Sequence, residues 1–185
     1  MKQNFFFYIT ETSLPSQSAN IINSLKFCEA LSKFRKIIFL LPQKNLSKNE
    51  IFYRYDIKSK NFLFKSLINQ QIDSKKQKLF FLIKVIKYFK KNNNINNLIL
   101  SRSILSSILL AFLNIKNILE IHHDLTGYSK LLFNILIKTK YKKNISFVLI
   151  NKNLVNDLNI TKLNYIILDD AADNKIIKKN KVNHL

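Results

Sequence analysis

Short apolar runs separated by polar stretches fill most of this chain, and their spacing predicts its elements. Asn4 to Ile9 is a strand candidate, followed by the polar loop TETSLPSQS. Ile21, Leu25, Cys28 and Leu31 then recur at helical spacing and predict a helix from Ala19 to Phe34, with Ser18 as a candidate N-cap. Lys36 to Leu41 is a near-continuous apolar run ended by Pro42, the pattern of a parallel strand covered on both faces.

The middle of the chain is less regular. Ile51 to Ile57 is weakly strand-like, and Lys60 to Ser74 is ambiguous. Lys75 to Lys91 predicts a helix with an apolar stripe of Leu79, Leu82, Ile83, Ile86 and Phe89; Lys84, Lys87 and Lys91 lie on another face, and Asn92 to Asn94 stops it. Strands and helices then alternate: strand Asn97–Leu100, helix Ser103–Leu113, strand Asn117–Ile121, helix Tyr128–Lys138, strand Ser146–Ile150, short helix Lys152–Leu158, strand Asn164–Leu168. Such alternation implies right-handed crossovers and an α/β fold: a Rossmann-like, doubly wound, mostly parallel sheet with helices on both faces. Residues 1–173 are expected to form that domain. Residues 174–185 read as a basic tail or the start of an interdomain linker.

Composition adds two constraints. Apolar residues are 47% of the 185, enough for a real core. The net charge is +20, which favours anionic partners such as phosphorylated substrates, acidic lipid or nucleic acid. Lys, Asn, Ile and Phe all have A/T-rich codons, so compositional drift on solvated faces is an equally open explanation of the charge. The single cysteine, Cys28, excludes an internal disulfide and a cysteine-based zinc cage, and its helical position predicts a small buried hydrophobe. The N-terminus has a short apolar run without a signal peptide's cleavage site. The longest apolar helix candidate, Ile104 to Ile115, is broken by Ser106, Ser107 and Asn114 and falls short of the roughly 18 residues of a membrane span. A cytoplasmic protein is expected, with peripheral contact at the inner face of a membrane left open.

In a doubly wound sheet, ligands bind beyond the carboxyl ends of the strands. The first such end, Thr10 to Ser18, is rich in hydroxyls and leads into a helix N-terminus, which suits a phosphate or hydroxyl ligand. It has no GxGxxG or P-loop glycines, which argues against a dinucleotide or Walker-type site; ordinary capping by Ser16 or Ser18 is the alternative. After Leu100 come Ser101, Arg102 and Ser103, where Arg102 could grip a phosphate or pair with Glu120 or Asp124. The densest chemistry is ILEIHHDLTG, where Glu120, His122, His123 and Asp124 precede the only glycine, Gly127. A His beside a carboxylate can orient or relay a proton. Adjacent side chains of an extended segment point opposite ways, so at most one of His122 and His123 should face a site. After Leu168 come Asp169, Asp170 and Asp173. No metal site is predicted, because consecutive His122, His123 and Asp124 suit few tetrahedral geometries. No cofactor is expected.

The ordered motifs P-S-x-S-A-N, L-x-x-S-R-S, I-L-E-I-H-H-D, F-V-L-I-N-K-x-L and I-I-L-D-D-A-A-D resemble the N-terminal, acceptor-side domain of family 4 glycosyltransferases, retaining enzymes of the GT-B fold. The resemblance covers residues 4 to 173. It implies one half of a GT-B fold, with His122 at the catalytic face between two domains and Ser16, Ser18 and Asn20 facing acceptor or donor phosphates. By the same resemblance Arg102 lies near the acceptor pocket, and Asp170 and Asp173 mark the crossing into the second domain; Glu120 and Asp124 are further candidate substrate-binding residues. The family's glycine-rich first loop is replaced here by Pro15 to Asn20, and its "DGVD" turn has become DDAAD. No Glu-x7-Glu helix follows Asp173. The implied function is therefore the acceptor-side half of a hexosyltransferase, taking a nucleotide-sugar donor and a glycan or lipid acceptor, and inactive without a donor-binding domain. The competing expectation is a non-catalytic module held to anionic membrane or a partner by a basic face, chiefly Lys75 to Lys91. Nucleic acid is the least favoured partner, since no helix-turn-helix, zinc-finger or RNP pattern is present.

Overall fold

The structure, a computed structural model, describes residues 5–42, 47–92 and 97–168. Seven strands form one all-parallel sheet in the order β3-β2-β1-β4-β5-β6-β7. They are β1 (Phe5–Ile9), β2 (Lys36–Pro42), β3 (Phe62–Ile68), β4 (Leu98–Ser101), β5 (Asn117–Ile121), β6 (Ile145–Leu149) and β7 (Tyr165–Ile167). The crossover helices are α1 (Ala19–Leu31), α2 (Lys48–Arg54), α3 (Lys75–Asn92), α4 (Ile104–Phe112), α5 (Gly127–Lys138) and α6 (Asn153–Asp157), with a 3-10 turn at Lys140–Asn144. This is the expected Rossmann-like, doubly wound α/β architecture.

Strand alternation divides the core between two faces. Phe6 and Tyr8 of β1 point toward α1 and α2, where they join Ile21, Leu25, Cys28, Phe39 and Phe62. Tyr8 stacks on Phe39 with centroids 4.9 Å apart, and Phe62 and Phe64 continue the aromatic cluster. Phe7 and Ile9 point the other way and pack on Phe81, Val85 and Phe89 of α3 and Leu110 of α4. On that same face Leu119, Ile121, Phe147 and Leu149 meet Ile108 and Ala111 of α4 and Phe133 and Leu136 of α5. So α3, α4 and α5 form one layer, with α4 touching both neighbours.

Two expectations are corrected. Residues 51–57 do not form a strand: they belong to α2 and its terminal turn. Ser47 and Glu50 make a complete capping box, with the Ser47 side chain accepting from the Glu50 amide and the Glu50 carboxylate from the Ser47 amide. The strand lies in the ambiguous segment, where Phe62 and Ile68 are buried against β2 and the helices. The buried stripe of α3 is Phe81, Leu82, Val85 and Phe89, whereas Leu79 and Ile83 are exposed. The run LFFLIKVI is apolar on more than one side, so periodicity could not phase it. Smaller shifts of one or two residues at element ends reflect ordinary fraying.

With one glycine available, the chain ends three helices with Asn or Asp. Asp56, Asn114 and Asn159 take φ of 49°, 61° and 52° directly after the caps of α2, α4 and α6. In each case the next residue's amide reaches back five residues: Ile57 to Phe52, Ile115 to Leu110, Ile160 to Val155. These are complete Schellman motifs, and the three isoleucines are buried, supplying the hydrophobic contact that accompanies them. Gly127, at φ 56°, opens α5 in the same left-handed region.

Candidate functional site

The strand order reverses between β1 and β4, which leave their carboxyl ends in opposite lateral directions. That switch point is where a doubly wound sheet opens a crevice. A crevice of about 200 Å³ lies there, lined by Thr10, Asn20, Arg102, Glu120, His122 and His123 among others. β1 contributes the first loop, β4 contributes Arg102 one residue past its end, and β5 contributes Glu120 and, just beyond it, His122.

Register explains why these three side chains meet. Leu100 pairs with Ile118 and Ser101 with Leu119. Arg102, Glu120 and His122 therefore share the parity that points to the α1 face. Arg102 Nη2 lies 2.8 Å and Nε 3.0 Å from Glu120 Oε1. His122 Nε2 lies 2.6 Å from the same oxygen, and its Nδ1 lies 3.3 Å from Arg102 Nη2. Arg102 Nη2 also contacts His122 Nε2, so the ring nitrogen that meets the carboxylate meets the guanidinium as well. The three side chains are only 13–15% exposed, so the ion pair works in a partly water-excluded setting. Burial alone pushes the Glu120 carboxyl up. The His122 hydrogen bond and the Arg102 charge together outweigh it and hold Glu120 below the usual carboxylate value.

The cluster extends under α1. Tyr8 Oη donates to Glu120 Oε2 at 3.0 Å and lies 2.7 Å from Ser24 Oγ. Ser24 Oγ also lies 2.8 Å from the Asn20 carbonyl, which accepts from Arg102 Nη1 at 2.6 Å. Tyr8, Glu120, Arg102, Asn20 and Ser24 thus close a ring joining β1, β4, β5 and the first turns of α1. Burial, and then the neighbouring Glu120 charge, push the Tyr8 phenol up, so it remains a protonated donor. Burial likewise keeps the Cys28 thiol protonated beneath the ring, as suits the expected small buried hydrophobe. Among the described residues no buried side-chain polar atom lacks a partner.

A second polar chain borders the crevice. Glu11 bonds Lys78 of α3 at 2.6 Å and Ser103 Oγ at 2.5 Å, and Ser103 in turn lies 2.6 Å from Ser106 Oγ. The first loop is also held from α2: the Tyr55 hydroxyl accepts from the Ser16 amide and donates to the Ser16 carbonyl. The helix that sequence reasoning took for a strand is therefore what fixes this loop.

Of the sequence-predicted residues, Asn20, Arg102, Glu120 and His122 converge on the crevice. Of the partners left open for Arg102, Glu120 is the one it meets. His122 turns into the cluster while His123 is exposed at the rim. Ser16 and Ser18 bond each other beside the crevice, and Ser18 makes no side-chain cap. Asp124 is exposed and outside the lining. Asp170 and Asp173 lie outside the described residues. Tyr8, Ser24, Glu11 and Lys78 were missed. The only available signal was Tyr8, a hydroxyl inside the otherwise apolar run FFFYI that burial would oblige to find a partner. Among the described residues no group of three or more His, Cys, Asp or Glu side chains is arranged to hold a metal ion. No protein-family model matches the chain, and a search of curated proteins finds no match either.

Proposed function

We propose that the crevice is the acceptor-side half of a retaining glycosyltransferase site, completed by a donor-binding domain. The observation that carries this reading is the convergence of Arg102, Glu120 and His122, from two strands, at the sheet's switch point. In the reaction, the bond from the sugar's anomeric carbon to the nucleotide phosphate oxygen breaks. A bond from that carbon to an acceptor hydroxyl oxygen forms, the hydroxyl proton passes to the departing phosphate, and configuration is retained. Glu120 would fix the His122 ring, and Arg102 would be held in place before substrate arrives. Pre-set donors of this kind act where charge develops on the leaving group. A crevice of about 200 Å³ is on the scale of one sugar ring rather than a whole nucleotide sugar, in keeping with a donor site on a second domain.

Transfer of labelled sugar from a panel of nucleotide donors to glycan and lipid acceptors tests the reading, with the chain alone and with a donor-binding domain added. Transfer that needs both parts and falls at least about a hundredfold in His122→Ala supports it. No transfer from the reconstituted pair, or transfer indifferent to His122, overturns it.

A further inference from the structure

The positive charge is not spread evenly over the molecule. Helices α3, α4 and α5, which form one layer on one face of the sheet, contain nine lysines and no Asp or Glu. The helices of the opposite face are mixed, with Lys26 and Glu29 on α1 and Glu50 and Arg54 on α2. On the α3–α5 face, α6 adds one acid, Asp157, at the far edge beyond α5, so the acid-free surface is that of α3, α4 and α5. Drift alone gives no reason for acids to be absent from three adjacent helices.

The same layer exposes apolar side chains at helical spacing. On α3, Leu79, Phe80 and Ile83 are 59%, 45% and 40% exposed, and Lys76, Lys87 and Lys90 extend the same stripe at both ends. Lys84 Nζ sits over the Phe80 ring, 5.0 Å from its centroid. On α5, Tyr128, Leu131 and Ile135 are exposed in series toward Lys138. Between them runs α4, which has no charged residue and leaves Leu113 exposed at its end.

We infer that this helical layer docks on an anionic lipid bilayer. Exposed aliphatic and aromatic side chains bordered by lysines fit the boundary between acyl chains and acidic headgroups. Aliphatic groups at the centre of the patch have no counterpart in a phosphate-lined nucleic-acid groove. No helix among the described residues is long and apolar enough to cross a membrane, so the contact is one of lying on the surface. The crossovers start α3 and α5 at the carboxyl edge of the sheet, and Lys78 on the first turn of α3 already touches Glu11 at the crevice. Docking by this layer therefore brings the crevice rim toward the bilayer.

Co-sedimentation with vesicles of phosphatidylcholine, alone or mixed with phosphatidylglycerol, tests the proposal. The protein should pellet only with the mixed vesicles. Lys76→Gln with Lys87→Gln should weaken binding about 25-fold, at about fivefold for each lysine near the surface. Phe80→Ser with Leu131→Ser should weaken it at least about tenfold. Lys33→Gln with Lys60→Gln, away from the layer, should leave it unchanged. All are exposed positions, and unaltered thermal midpoints would exclude misfolding. Equal binding to neutral vesicles, no binding, or binding that survives both layer variants would overturn the docking surface. So would tighter binding to a single-stranded oligonucleotide that persists in Phe80→Ser with Leu131→Ser.

Discussion

The crevice and the α3–α5 layer treat charge in opposite ways. At the crevice Arg102, Glu120, His122, Tyr8 and Ser24 are nearly buried and satisfy one another, so each fixes the position of the next. On the helical layer the lysines are mostly in solvent, and among the described residues Lys78 is the one whose ion pair reaches across to another part of the chain, at Glu11. Burial makes a polar group costly unless it is partnered, and exposure removes that demand. The crevice is thus a site whose geometry is specified by the fold, and the layer is a surface whose charge is left for something outside it.

The sharpest way to break that comparison is to remove the carboxylate at the centre of the crevice. Glu120→Ala strands Arg102 as an uncompensated, partly buried charge and strips acceptors from Tyr8 and His122. Unfolding free energy should fall by about 3 kcal/mol, the low end for breaking a buried pair because some solvent reaches it. Chemical denaturation measures this. A loss under about 1 kcal/mol would mean the cluster behaves like a surface salt bridge. Replacing both charges, as Arg102→Met with Glu120→Leu, should cost less than Glu120→Ala alone, because no charge is then left unpaired.

Tyr8→Phe is a milder cut in the same ring. It keeps the stacking on Phe39 and removes only the hydroxyl between Ser24 and Glu120. The expected loss is about 1 to 2 kcal/mol, the cost of leaving buried acceptors short of a donor. Beyond stability, the variant tells whether Tyr8 positions Glu120: the His122 ring proton resonances should shift although Tyr8 does not touch His122. An unchanged His122 signal would make Tyr8 a core aromatic and nothing more.

How much of this was legible depends on what kind of signal each part leaves. The alternation of β4, α4, β5, α5 and β6 was readable because each run is bounded by polar residues and has one period. The α2 segment misled because Phe52, Tyr53, Tyr55 and Ile57 favour strands, while the deciding capping box at Ser47 and Glu50 lies upstream of the apolar run. Asp56-Ile57, Asn114-Ile115 and Asn159-Ile160 are a repeated stop signal that is simple to read once glycine is seen to be nearly absent. At the site, Arg102, Glu120 and His122 were visible as polar residues at strand ends, and β4–β5 register brings them together. Tyr8, Ser24 and Lys78 were not visible, because their roles arise from contacts 112, 16 and 67 residues apart in sequence that only the packed sheet creates.

The smallest effect tests the other side of the comparison, and its sign is reversed. Lys87 has Lys84, Lys90 and Lys91 three or four residues away on the same helix, and like charges at that spacing repel. Lys87→Gln should therefore stabilise the fold, by about 0.5 kcal/mol at low salt, with the gain fading as salt screens the repulsion. Thermal midpoints at low and high ionic strength would read it. A lysine whose charge costs its own helix stability has no compensating partner within the fold, which is what a docking layer requires. If Lys87→Gln instead destabilises at every salt concentration, the ammonium is partnered within the protein, and the contrast between a self-satisfied crevice and an outward-facing layer no longer holds.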